Sequence, residues 1–194
     1  MIELLILYQL TKKVLTMYGI SKEIKAGFSV LTTPSYGTIK PALNRLEKNG
    51  CVRTQKSMSS GGRPSTYYSI TKRGEEELKQ LLLEPPLENP IQFLPTARVK
   101  LACADVLNSA EQKELFRLLK IKSESVSLDI RKLIESNSLD FYPKMVFDNL
   151  FCEYKTFRGI SFTMNLCNIL RKSQTEHKNG RCSDEGEDCF ERIT

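Results

Sequence analysis

Tryptophan is missing from all 194 residues, and histidine occurs once, as His177. His177 lies in a polar and aperiodic stretch, and no other histidine is available for acid/base or triad chemistry. No run reaches the ~18 uninterrupted apolar residues that a membrane helix needs. The apolar opening "MIELLILYQL" contains Glu3 and lacks both a basic lead and a small-residue cleavage site. It is a poor secretory signal, so a cytoplasmic location is expected. The six cysteines (Cys51, Cys103, Cys152, Cys167, Cys182 and Cys189) include no CxxC pair. They indicate neither a disulfide scaffold of a short secreted chain nor a common zinc site. In a reducing compartment they are free thiols, acting as small hydrophobes where buried, with a redox switch as the rival reading. His177, Cys182 and Cys189 match no usual zinc spacing, and a fourth ligand is not evident. No metal, no cofactor and no enzymatic activity are expected.

What is present is enough apolar sequence, 40%, to build a core for one ordinary domain or two small ones. The charge is unevenly placed. Residues 1–84 hold 13 Lys/Arg against 7 Asp/Glu, residues 85–172 hold 13 against 10, and residues 173–194 hold 3 against 6. Within 40–73 eight bases (Lys40, Arg45, Lys48, Arg53, Lys56, Arg63, Lys72 and Arg73) face one acid, Glu47. A local excess of that kind suits a polyanion, nucleic acid first; a solvated basic face is the plainer alternative.

Residues 2–10 are apolar nearly all round, as in a short buried helix. In "TMYGISKEIKAGF" Thr16 can cap a helix that places Met17, Ile20, Ile24 and Phe28 on one stripe. In "TTPSYGTIKPALNRLEKNG" Thr33 is a candidate cap, Pro34 a first helical residue and Gly50 a left-handed stop. Ile39, Leu43 and Leu46 then bury one stripe, while Gly37, Lys40, Pro41, Asn44 and Lys48 share the other face. "CVRTQKS" and "STYYSIT" read as two strands joined by the turn cluster "MSSGGRP", with Tyr68 and Ile70 facing inward and Tyr67 to the other side. Thr71 caps the next helix. Three helices, two strands and a helix in that order make a helix-turn-helix followed by a wing.

Prolines 85, 86, 90 and 95 mark a stiff connector. Beyond it "SAEQ" at 109–112 has the form of a capping box. Phe116, Leu119, Ser123, Val126, Ile130 and Leu133 then follow a heptad, imperfect at Ser123, that packs on a partner helix within the chain or across a dimer. Over 144–171, Phe147, Leu150, Phe151, Tyr154, Phe157 and Met164 form an aromatic stripe, read as core or dimer interface before ligand box. The end from 173 is polar, acidic and aperiodic, as in a disordered tail.

"SYGTIKPALNRLEKNGCV" at 35–52, "GGRPSTYYSIT" at 61–71 and "GEEEL" at 74–78 resemble the recognition helix, wing and following helix of the PadR family of bacterial transcriptional regulators. "MYGISKEI" at 17–24 resembles its second helix, with the usual Gly-Tyr pair reversed as Tyr18-Gly19. The likeness is close over residues 2–83 and looser over the helical remainder. It implies a mainly α protein: a winged helix-turn-helix over 1–84, a connector over 85–95, a helical dimerisation and effector domain over 96–172, and a tail over 173–194. It also implies a homodimer that binds a double-stranded operator, usually as a repressor, and is released by a small molecule or another signal. Two departures stand out. Lys40 occupies a position where the family often has tyrosine, and without tryptophan the tryptophan-flanked drug pore of some members cannot be carried over.

The DNA-facing candidates are Ser35, Tyr36, Gly37, Thr38, Lys40 and Asn44 on the recognition helix, with Lys56 and Arg63 on the wing. Lys40 and Asn44 have the reach and donors for base edges, whereas Ser35, Tyr36 and Thr38 suit phosphates equally well. Dimerisation falls to Phe116, Leu119, Val126, Ile130, Leu133 and Phe151, and an effector to the neighbourhood of Phe151 and Tyr154. A phosphate-cradling enzyme loop would need a helix directly after its glycines, but "SSGGRPSTYYS" runs into a strand. A winged-helix adaptor that binds protein shares the fold and stays open as the alternative.

Overall fold

The computed structural model describes residues 1–58, 62, 64–85, 89–136 and 139–159. They divide into two compact units, Met1–Leu118 and the chain from Leu119 onward.

The first unit is built on α1, Ile2–Lys12, in which Leu4 through Leu10 are all buried. Its all-round apolar character follows from its position, because α2, α3, α4 and the sheet all pack on it. α2, Met17–Phe28, begins as expected, with the Thr16 hydroxyl accepting from the Gly19 amide at 3.2 Å. α3, Tyr36–Lys48, begins two residues later than Thr33 and Pro34 suggested. Ser35 is its N-cap, in extended conformation, and its carbonyl accepts from the Thr38 and Ile39 amides at 3.0 Å each. The stop is as read: Gly50 takes φ +72°, which costs a residue without Cβ nothing.

β1 (Leu15–Thr16), β2 (Val52–Met58) and β3 (Pro64–Ile70) form an antiparallel sheet in the order β1-β3-β2. The two-residue strand β1 is too short to leave a periodic signal. It pairs Leu15 with Tyr68 and Thr16 with Tyr67, so β3 is central rather than an edge. Tyr67 and Tyr68, on opposite sides of β3, are both half-buried.

α4, Lys72–Leu83, is locked to the base of this hairpin by Thr71. The Thr71 hydroxyl donates toward the Gly50 and Cys51 carbonyls at 2.7 and 3.1 Å and accepts from the Gly74 amide. α5, Pro90–Ala102, starts inside the stretch read as a connector. Pro90 stands at a first helical position, where its missing N–H is no loss, and Pro95 lies within the helix. α6, Ser109–Ser136, starts in the first unit, and its capping box is not Ser109–Gln112 but Asn108–Glu111. Asn108 Oδ1 accepts from the Ala110 and Glu111 amides, and Glu111 Oε2 accepts from the Asn108 amide at 2.8 Å. Asparagine caps as well as serine, and the charged Glu111 is favoured at the positive helix end. Gln112 instead donates to the Ala104 and Leu107 carbonyls.

In the second unit the rest of α6 packs on α7, which covers 141–159. The heptad's weak position explains itself: Ser123 is fully buried and donates to the Tyr154 carbonyl at 3.0 Å. Leu119, Val126 and Ile130 are buried within the single protomer, as is Phe116 in the first unit. Of the six residues assigned to a dimer contact, Leu133 and Phe151 stay accessible, together with Phe141, Tyr142, Met145 and Val146 on α7.

Candidate nucleic-acid interface

α3 turns its apolar stripe inward and leaves a polar one out. Ile39, Ala42, Leu43 and Leu46 are buried, whereas Ser35, Tyr36, Gly37, Thr38, Lys40, Asn44 and Lys48 are all exposed. An α-helix supplies no partners for its first amides, so the N–H groups at the start of α3 point outward beside these side chains. The Ser35 and Thr38 hydroxyls lie 3.2 Å apart. Neither caps a backbone group within the helix; one donates to the other, which leaves the proton of the second for an outside acceptor. Pro41 is exposed on the same face. The helix runs through it without a break from Tyr36 to Lys48.

The wing continues this surface. Lys56 is exposed near the far end of β2, opposite Thr66, and Arg53 is exposed near its base. Gly62 takes φ +72° in the hairpin loop, as a tight tip requires. Arg63 lies outside the described residues. The single acid of this region is occupied elsewhere: the Thr54 hydroxyl donates to the Glu47 carboxylate, which joins α3 to β2. Burial, with the nearby Glu47 charge, pushes the Tyr68 phenol up and keeps it neutral in this joint. Among the described residues Lys40, Lys48, Arg53 and Lys56 form no ion pair. Arg45 differs, since its Nε donates to Glu3 Oε1 of α1 at 2.7 Å. That bond ties α3 to α1, so Arg45 is a brace rather than part of the free basic surface.

One residue noted only as half of the Tyr18-Gly19 pair was not among the DNA-facing candidates. Tyr18 is 68% exposed at the start of α2, beside the amides of that helix's first turn. The signal was available, because the stripe of Ile20, Ile24 and Phe28 turns Tyr18 outward.

The residues assigned to an effector are separated. Phe151 lines a cavity of about 270 Å³ in the second unit, with Leu128, Arg131, Lys155 and Arg158, and the Arg131 guanidinium sits 5.2 Å from its ring centre. Tyr154 is buried and is not among the residues that line the cavity, and burial raises its phenol pKa. Among the described residues no group of His, Cys, Asp or Glu could hold a metal, and His177, Cys182 and Cys189 lie outside them. Cys51 and Cys103 are buried free thiols, and Cys152 is an exposed one. Among the described residues no helix is long and apolar enough to cross a membrane.

Residues 6–80 match the family model described as the Transcriptional regulator PadR-like family. A PadR family transcription regulator from Clostridium difficile is 31% identical over 40% of this chain and 79% of its own, with a TM-score of 0.36. A transcriptional regulator from Clostridium thermocellum is 32% identical over 40% of this chain and 75% of its own, with a TM-score of 0.37. Bacillus subtilis PadR, in a complex with operator DNA, is 17% identical over 85% of this chain and 97% of its own, with a TM-score of 0.40. No curated protein matches. The kinship rests on sequence over the winged-helix residues, since superpositions this loose add no argument.

Proposed function

Because the chain belongs to the PadR-like family of transcriptional regulators, we propose that it binds duplex operator DNA as a homodimer, represses transcription there, and is released by a small-molecule or other signal. The observation that carries the DNA reading is the unpaired basic surface of α3 and β2. Lys40, Lys48 and Lys56 stand exposed there without ion partners among the described residues, beside the open amides of the α3 N-terminus. A helix of this kind fits the major groove, with Lys40 and Asn44 toward base edges and Ser35, Tyr36, Gly37 and Thr38 toward phosphate. Lys56 and Arg63 extend the contact along the backbone or into the adjacent minor groove.

DNA binding is assigned to residues 1–84 and dimerisation to the helices within 96–172. The exposed Phe141, Tyr142, Met145 and Val146 supply apolar surface for a partner, with Leu133 and Phe151 accessible beside them on α6 and α7. Phe116, Leu119, Val126 and Ile130 contribute from inside the protomer, by holding those helices in place. The Phe151 cavity is the proposed effector site.

Titrating operator and scrambled duplexes at several salt concentrations tests this reading. Lys56→Ala and Arg63→Ala should weaken both duplexes together and flatten the salt slope by about one unit per lost phosphate contact. Lys40→Ala should cost ~1–3 kcal/mol on the operator alone. Binding by all three variants equal to that of the parent chain at every salt would favour a protein-binding adaptor instead.

A further inference from the structure

In the first unit a cavity of about 450 Å³ opens where the start of α1, the end of α4 and α5 meet. That is within the size range of small-molecule sites. Leu4, Leu81, Pro95 and Val99 are among its walls, and none of the described residues that line it is aromatic. Lys100 lines it too, and is only 5% exposed. Its ammonium donates to the Glu84 carbonyl at 2.9 Å, its one hydrogen bond among the described residues. An ammonium has three protons to donate, and a buried charge with a single carbonyl partner is costly. Burial accordingly pushes its pKa down, with the Glu84 charge opposing. Capping the end of α4 does not call for a charge, since a neutral donor could hold the Glu84 carbonyl. The exposed Glu84 carboxylate makes no ion pair with Lys100.

We infer that this cavity is a binding site for a small aliphatic carboxylate, whose anionic end meets Lys100 and whose chain lies against Leu4, Leu81 and Val99. The absence of aromatic walls favours a flexible aliphatic body over a flat ring, which would find nothing to stack on. Among the described lining residues Lys100 is the one basic side chain, and the Glu84 carboxylate in the same lining disfavours a second negative charge, so a monoanion fits better than a dianion such as phosphate. The site is distinct from the Phe151 cavity and does not depend on DNA binding.

The probes are hexanoate and its uncharged counterpart hexanamide, titrated into the full-length protein and followed by protein-observed NMR. Hexanoate should shift signals from α1, α4 and α5 saturably, and hexanamide should bind roughly tenfold to a hundredfold more weakly, as loss of a charge-assisted bond implies. Lys100→Met should bring hexanoate down to the level of hexanamide. Thr96→Phe, which keeps Lys100 but fills the cavity, should abolish both. No saturable hexanoate shift in the parent protein, equal binding of acid and amide, or full hexanoate binding in folded Lys100→Met would each overturn the inference. If Lys100→Met does not fold, the acid-to-amide ratio and Thr96→Phe decide between the same two outcomes.

Discussion

Gly74 is where the winged helix is most sensitive to a single methyl group. A Cβ built there would lie 2.1 Å from the Cys51 carbonyl oxygen, 2.8 Å from Ile70 Cγ1 and 3.0 Å from the Cys51 carbonyl carbon. Two of those atoms are backbone, and the oxygen already accepts from the Thr71 amide and hydroxyl at 3.1 Å each. It cannot retreat without loosening both bonds. Overpacking costs ~2 kcal/mol, and two weakened hydrogen bonds cost ~2 more. Replacing a helical glycine returns ~1. The net for Gly74→Ala is a loss of about 3 kcal/mol, or a melting temperature lower by about 10–15 °C for a unit of this size. Gly27→Ala is the control, because a Cβ there meets nothing within 4 Å and its φ is ordinary. It should leave the melting temperature unchanged or raise it slightly. Circular dichroism melts of the three proteins read the difference. A Gly74→Ala protein that melts with its parent would refute the steric argument, and with it the view that α4 is wedged against the wing base.

Glu111→Gln should remove the charged half of the α6 cap and cost ~1 kcal/mol at neutral pH, measured by urea unfolding. The amide of Asn108 and then Lys79 hold the Glu111 carboxyl below its ordinary value. Its contribution is therefore present above about 4.5 and fades as pH falls through the lower folded value, so the variant's deficit should shrink in acid. A deficit that grows in acid would contradict the assignment. Burial raises the Cys51 thiol and pushes Cys103 up to about 12. With Cys167, Cys182 and Cys189 changed to serine, one thiol, Cys152, should therefore react promptly with a disulfide reagent in the native state. Two or three prompt thiols would show that Cys51 or Cys103 is accessible.

The winged helix was legible because its signals are local and redundant. The stripes at Ile20, Ile24 and Phe28 and at Ile39, Leu43 and Leu46, the caps at Thr16 and Thr71, and Gly50 each point to the same elements. Misreadings occurred where neighbours compete for one role. Ser35 outdid Thr33 as the α3 cap, and Asn108 outdid Ser109 at α6, since each pair offers similar cap chemistry and tertiary contacts choose. β1 was invisible because two residues have no period, and its existence depends on β3. The exposed face of α3 followed directly from its buried stripe. By contrast, the engagement of Glu47 by Thr54 and of Arg45 by Glu3 is long-range or side-chain detail that no pattern in the sequence announces. The buried Lys100 belongs to the same class, for α5 carries little amphipathic pattern to say which side faces inward.

The central claim, that the α3 and wing surface reads duplex DNA, is tested most directly by selecting bound duplexes from a random library with the purified full-length protein and titrating the winner against a scrambled duplex. A dimer that reads DNA through this surface should select a two-fold symmetric motif with half-sites about 10–10.5 bp apart, or a multiple of that. It should bind that motif at least ~10³-fold tighter than the scrambled duplex, with an affinity that falls steeply as salt rises. Recovery of no motif, with equal and salt-insensitive affinity for both duplexes, would contradict it.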